Sequence, residues 1–244
     1  LVRDRPFRSP HHSASGPSLV GGGTFPRPGE ISLSHRGVLF LDELTEFKRD
    51  VLEFLRQPLE DGYVTISRTK QSVTFPAQFT LVASTNPCPC GYYGDTIQGC
   101  TCSPRQREQY WAKLSGPLMD RIDLQVAVNR LKPEEITQQP TGEASKSVAE
   151  RVEKAREKAV IRFQKEDLQC NAQMQSRHLQ KWCELDDASR NLLEAAIRKL
   201  GLSARASDRI LKVARTIADL AGDENLKPQH VAEAIQYRTI DRMQ

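Results

Sequence analysis

Two short apolar runs end in residues whose chemistry suits a polyphosphate. Val38-Leu39-Phe40-Leu41 leads into Asp42-Glu43, and Thr80-Leu81-Val82-Ala83 leads into Ser84-Thr85-Asn86. Both runs read as strands buried on both faces of one parallel sheet, so the polar residues leave it at the same carboxyl edge, where α/β sheets hold ligands. An aspartate there can hold Mg²⁺ through water while the next glutamate polarises an attacking water, the layout of a Walker B motif. An amide such as Asn86 can orient that water against a terminal phosphate, the role called sensor 1. Each signal alone also fits plain structure, because strands run into Asp-Glu by chance and asparagine is a common turn former. Found together at this separation, they point to phosphoryl chemistry.

Two arginines could complement phosphate charge. Arg121 stands between Asp120 and Asp123, just before an apolar stretch at Leu124 to Val128 expected to be a further strand. It is either a surface ion pair, worth little, or an arginine finger, a planar fork offered to a neighbouring subunit's nucleotide. Arg205 follows Ser203-Ala204 at the start of a helical stretch, where the dipole does not favour a cation; contact with a phosphate is the functional use of that position. Cys88, Cys90, Cys100 and Cys102 form two C-x-C pairs nine residues apart, enough thiolates for one tetrahedral zinc site, with reduced surface thiols as the alternative. Cys170 and Cys183, isolated in helical sequence, are expected in the core, and His11-His12 are expected to be loop histidines.

The elements that must position these residues follow from periodicity and breakers. Residues 1 to about 36 are rich in Pro, Gly, Ser and His and predict irregular structure. Phe47, Val51, Leu52, Phe54 and Leu55 recur at helical spacing, giving strand, helix, strand. Tyr63 to Ile66 and Ser72 to Phe75 alternate as a hairpin inserted before the second strand, with Arg68 and Lys70 at its tip. Pro133, Pro140 and Gly142 mark a connection, and from about Ser145 the pattern is helical. Ala188 to Leu200 should stop at Gly201, and Pro228 should open the last helix. Ala206, Ile210, Val213, Ala214, Ile217 and Leu220 form one apolar face, with Arg205, Arg209 and Lys212 off it.

Composition sets the bounds. The 244 residues carry a net charge of +4, 38% hydrophobic and 27% charged residues, with no apolar run long enough to span a membrane. The charge is too small to indicate nucleic acid by itself. Clustered cysteines suit a reduced compartment. The chain starts without a methionine or a signal-peptide layout and reads as an excerpt of a longer protein.

With these residues in view, Gly37 to Leu44, Ser84 to Gly91, Gly116 to Leu124 and Leu202 to Leu220 closely resemble the Walker B, sensor 1, arginine-finger and sensor 2 segments of the magnesium-chelatase-like AAA+ ATPases of the ComM/YifB family. Pro6 to His12 and Arg27 to Leu33 resemble that family's insert around its second helix. The resemblance implies an α/β fold: an incomplete AAA+ P-loop-type parallel sheet core with an inserted hairpin over residues 1–135, then an all-helical lid domain over 136–244. It implies ATP and Mg²⁺ as cofactors, with Glu43, Asn86 and Arg121 catalytic, Asp42 on Mg²⁺ and Arg205 on the nucleotide. It further implies a cytoplasmic homo-oligomer, a hexameric ring, acting on DNA in recombination or transformation, with Arg68 and Lys70 touching DNA. Two alternatives stay open: a magnesium-chelatase-type remodelling subunit that drives a partner protein, and a zinc-dependent interaction module.

The chain also departs from the family in one respect. No Gly-rich loop ends in Gly-Lys-Ser/Thr, and Gly21-Gly22-Gly23-Thr24 has neither the lysine nor the preceding strand of a phosphate cradle. In the family that loop lies upstream, on the strand between the sensor 1 strand and the arginine-finger strand. The chain is therefore expected to lack the middle of the sheet and not to hydrolyse ATP by itself.

Overall fold

The computed structural model describes residues 4–23, 25–68, 71–131 and 142–238. The chain divides into two compact units between Ile122 and Asp123. The boundary expected at 135/136 lies outside the described residues.

The first unit is built on a parallel sheet of β1 (Phe7–Arg8), β4 (Val38–Leu41) and β7 (Thr80–Ala83), in the order β1-β4-β7. Between them lie β2 (Gly21–Gly22) and β3 (Arg27–Pro28), paired with each other, and the hairpin of β5 (Tyr63–Arg68) and β6 (Gln71–Pro76). Val38 pairs with Thr80 and Leu41 with Ala83, so both strands end level. Gly37 lets β1 and β4 close up, because a Cβ there would lie 1.9 Å from the Pro6 carbonyl oxygen. The inner face of β4, Leu39 and Leu41, is fully buried against Phe47, Leu52 and Leu55.

The single helix expected from Phe47 to Leu55 is instead a 3-10 turn, Leu44–Glu46, followed by two short helices, Arg49–Glu53 and Arg56–Asp61. Pro58 has no N–H for the carbonyl one turn back, which favours the break. Val51, Leu52 and Leu55 still face the core, while Phe54 is turned out. The first 36 residues hold more order than their composition predicts: β1 and the short helices Gly16–Val20 and Glu30–Leu33. In the hairpin, Val64 and Ile66 are buried, while Thr65 pairs with Thr74 (3.0 Å) and Ser67 with Ser72 (3.2 Å) through their hydroxyls on the other face. Gly62, at φ 74°, turns the chain into it.

Two strand expectations need correction. β7 is not buried on both faces: Thr80, Val82 and Ala83 are exposed, because it forms an edge of the described sheet. Residues 124–128 form no strand, and Leu124, Val126 and Val128 are uncovered. An extended segment becomes a strand only when a neighbour supplies ladder partners. No described strand does so here.

From residue 142 onward the described residues contain helices and no strand. The helices Ser145–Arg162, Ser176–Trp182, Asp187–Leu200, Ala204–Ala221 and Pro228–Gln236 surround Phe163, Met174, Ile210, Ala214 and Val231. Asp186 and Ser203 cap their helices through side-chain oxygens, and Gly201 ends its helix in the left-handed region as expected. The buried stripe of Ala204–Ala221 runs Ala206, Ile210, Ala214 and Ala218, with Val213 and Ile217 partly covered and Leu220 exposed. The same helix also buries Arg215 and Asp219. Asp219 accepts from Arg162 Nη1 and Asn171 Nδ2, both at 2.8 Å, and lies 3.0 Å from Arg215 Nη2. Burial pushes the Asp219 carboxyl up, but the hydrogen bonds from Arg162 and Asn171 and the charges of both arginines outweigh it and hold it below the usual range. Cys183 is buried as expected; Cys170 is exposed, because it precedes a short 3-10 turn at Asn171–Gln173 rather than lying inside a helix.

Candidate functional site

Asp42 and Ser84 follow the level ends of β4 and β7, and the Ser84 hydroxyl donates to Asp42 Oδ1. The Glu43 N–H reaches the same Asp42 oxygen at 3.1 Å and the Ser84 oxygen at 3.2 Å. Ladder bonds continue past the strands, Ser84 N–H to Leu41 O at 3.1 Å and Leu44 N–H to Ser84 O at 2.8 Å. One turn further, the hydroxyls of Thr45 and Thr85 meet at 3.0 Å, and Lys113 Nζ donates to the Thr45 carbonyl at 2.7 Å. The two chain ends are thus stitched together beyond the sheet, and this presents Asp42, Glu43 and Asn86 on one edge.

Glu43 adopts φ 52°, ψ 53°, the left-handed region that costs a non-glycine residue strain. The turn throws its side chain off the strand axis, and the carboxylate is half exposed, with Oε2 3.5 Å from His12 Nδ1. His12 reaches this edge because β1 runs parallel to β4, so the loop after β1 emerges beside Asp42-Glu43. Reading His11-His12 as loop histidines missed this neighbour, since a two-residue strand leaves no periodic signal. Ser84, the residue that braces Asp42, was likewise legible only as part of the Ser-Thr-Asn run.

The segments around residues 6–12 and 27–33 are tied by a bidentate ion pair, Arg8 Nε and Nη2 to Glu30 at 2.6 and 2.7 Å. The hydrogen bond to Glu30 raises the already high Arg8 pKa further.

After Asn86 the chain enters the cysteine loop. Cys88 Sγ lies 3.3 Å from Cys90 Sγ and 3.6 Å from Cys100 Sγ, and Cys90 to Cys100 is 3.6 Å. All four sulfurs, Cys102 included, lie within 4.8 Å of one another. A disulfide would need about 2.05 Å, whereas a tetrahedral zinc with Zn–S of about 2.3 Å sets sulfur-sulfur spacings of about 3.8 Å. Four soft donors converging at this spacing fit zinc. The backbone N–H groups of Tyr92 and Thr101 pull the Cys90 thiol down to about 5, while burial pushes Cys102 up to about 12. Trp111 Nε1 donates to the Pro87 carbonyl at 3.0 Å and Arg107 Nη1 to that of Cys102 at 2.8 Å, pinning the loop to the helix Pro104–Trp111, whose start is closed by a Ser103/Gln106 capping box.

The arginines lie elsewhere. Arg121 is mostly covered, pairs with Glu60 and donates to the Pro117 carbonyl at 2.6 Å, beside an open cleft of about 430 Å³ lined also by Glu53, Arg56 and Asp61. Arg205 is exposed in the first turn of Ala204–Ala221, in the second unit. At the hairpin tip, Arg68 ends β5 by its backbone, and Lys70 lies outside the described residues.

A family model described as magnesium chelatase, subunit ChlI, matches residues 1–136, and one described as magnesium chelatase, subunit ChlI C-terminal, matches residues 142–238. The chain belongs to the magnesium-chelatase-like AAA+ family. Within this family it is 50% identical over 243 residues to the competence protein ComM of Haemophilus influenzae, covering 99% of this chain and 46% of that protein. It is 47% identical over 242 residues to YifB of Escherichia coli, covering 99% and 47%. To the magnesium-chelatase subunit ChlI of Porphyra purpurea it is 35% identical over 60 residues, 25% of this chain and 17% of that one. The chain spans about half the length of the ComM and YifB relatives it matches.

Proposed function

We propose that the complete protein is a ring-forming, Mg²⁺-dependent ATPase that acts as a motor on DNA. The observation that carries this reading is the stitched edge where Ser84 holds Asp42 and where Glu43 and Asn86 leave neighbouring parallel strands. Asp42, a hard oxygen donor already oriented by Ser84 and the Glu43 N–H, fits Mg²⁺. Bound Mg²⁺ with ATP supplies charge neutralisation at the phosphates. Glu43 takes the proton of the attacking water, and Asn86 orients that water.

Arg121 serves a neighbouring subunit's nucleotide. It must release Glu60 to do so, which makes the ion pair its resting position. Arg205 contacts phosphate from the lid, as in the family's sensor 2. The four cysteines hold zinc and give the loop after Asn86 a fixed base. Arg68 and Lys70 meet DNA in the pore of a hexamer. The protein works in the cytoplasm, which suits its free thiols; among the described residues no helix is long and apolar enough to cross a membrane.

DNA-stimulated ATPase activity of the complete protein tests this reading. Arg68→Ala with Lys70→Ala should spare basal turnover, weaken DNA binding and lower its salt slope by about one to two. Likeness to the ChlI subunit favours one second reading, a remodelling machine that drives a partner protein. Turnover indifferent to DNA, with the double variant binding DNA like the parent, would select it.

A further inference from the structure

We infer that Glu60 is a positioning residue for Arg121: it parks the guanidinium away from the neighbouring subunit, and it stands where the β5–β6 hairpin can withdraw it. This rests on the ATPase reading above and on the part of Arg121 in it. Arg121 Nη2 pairs with the Glu60 carboxylate, while Nη1 donates to the Pro117 carbonyl at 2.6 Å. Glu60 lies in the last turn of the helix Arg56–Asp61, just before Gly62 turns the chain into β5. Gly62 joins the two elements at one residue. Its N–H donates to the Pro58 carbonyl at 3.0 Å and closes the helix, and its carbonyl accepts from the Ala77 N–H at 2.7 Å and closes the hairpin. β5 and β6 pair without a break from Tyr63 and Pro76 to Arg68 and Gln71, so a push at the tip reaches this base. A second contact anchors the other end of the arginine segment. Glu53 accepts from the Ser115 hydroxyl and, at 2.7 Å, from Arg56 Nη1, and these bonds hold its carboxyl below the usual range. Ser115 in turn caps the short helix Gly116–Met119 through the Leu118 N–H at 3.3 Å.

Folding does not depend on this pair. The Glu60 side chain is 39% exposed, so an ion pair there contributes little to stability. The guanidinium borders the open cleft of about 430 Å³ rather than the core, so it can leave the carboxylate without unpacking the sheet. The helix that carries Glu60 is weakly held: no side chain caps its start, and Pro58 lacks an N–H for the ladder. A segment with so few restraints of its own follows the hairpin to which it is joined. Carboxylate and phosphate compete for the same planar fork. With Glu60 in place, the neighbouring nucleotide must displace it to recruit Arg121. When DNA engages the hairpin and shifts its base, the last turn of the helix moves with Gly62 and the carboxylate withdraws. DNA thereby favours the state in which Arg121 is free, because it binds the two hairpin positions unequally.

The test measures ATP turnover of the complete protein with Mg²⁺, alone and with poly(dT) or linear duplex DNA. It compares the parent with Glu60→Gln, Glu60→Ala, Glu60→Asp, Arg121→Ala and the double variant Glu60→Gln/Arg121→Ala. Removing the carboxylate by either Gln or Ala should raise kcat without DNA about 5-fold or more, toward the DNA-stimulated parental rate, and shrink the stimulation by the same factor. Glu60→Asp keeps the charge and should stay nearer the parent than Glu60→Gln does. The double variant should be as slow as Arg121→Ala alone, because Glu60 acts only through Arg121. Three results would overturn the positioning role and leave the ATPase reading intact: Gln and Ala variants that both turn over at or below the parental rate without DNA, an Asp variant as fast as Glu60→Gln, or a rise that persists in the double variant. A parental rate in Arg121→Ala would overturn the inference together with the arginine's part in that reading. A parent that responds to neither DNA would overturn the link to the hairpin together with the DNA-motor reading.

Discussion

Replacing Glu43 with asparagine should stabilise the protein while removing its proposed base. At φ 52°, ψ 53° the Glu43 backbone is left-handed, which costs an L-residue about 1–2 kcal/mol and asparagine less. The side chain gives up only its half-exposed approach to His12, worth about 0–1 kcal/mol. Its backbone N–H bonds to Asp42 and Ser84 survive any substitution but proline. The balance favours Glu43→Asn by about 0.5–1 kcal/mol, a rise in Tm of about 1–4 °C. Glu43→Gly gains more in the folded state but gives back about 0.4–1 kcal/mol through the freer unfolded chain. Glu43→Ala keeps the strain and loses the His12 approach, so it should equal or fall slightly below the parent. Thermal and urea unfolding of the four proteins should rank Asn and Gly above Glu, and Glu at or above Ala. Equal destabilisation of the Asn and Ala variants would refute this reasoning, because the side-chain contacts of Glu43 would then outweigh its backbone strain.

The buried Asp219 carboxyl, held below its usual range, stabilises the helical unit above the unfolded value near about pH 4 and loses that contribution as pH falls through its folded value; Asp219→Asn should remove this acid-sensitive limb. The same change leaves Arg162 and Arg215 without their shared carboxylate and should cost about 3–5 kcal/mol at neutral pH, read by urea unfolding. Purified under reducing conditions without chelator, the protein should carry about one zinc per chain, and Cys88→Ser with Cys102→Ser should release it. Elemental analysis that finds no zinc in such a sample would retire the metal site.

The paired strands β4 and β7 were legible because four apolar residues behind Gly37, and Thr80 with three apolar residues before Ser84, leave little alternative to a strand. Their parallel neighbourhood puts Asp42, Glu43 and Asn86 on one edge from the sequence pattern alone. The four cysteines announce themselves by spacing, though only the fold shows the sulfurs converging. β1 was hidden: its two residues have no period, and with it went the nearness of His12 to Glu43. The Arg162–Asp219–Arg215 network was hidden too, because a charged residue on a helix reads as solvated unless its partners 57 and 4 residues away are known to converge. Leu124 to Val128 has a strand's alternation without a strand's pairing, since a ladder depends on a neighbour that local sequence does not contain.

The central claim is tested most directly by nucleotide binding and turnover of the complete protein with Glu43→Gln, which removes the carboxylate and keeps its size. ATP should bind in the presence of Mg²⁺ about as tightly as to the parent, while turnover falls by about two or more orders of magnitude. Turnover near the parental rate would show that the edge formed by Asp42, Glu43 and Asn86 is not where ATP is hydrolysed.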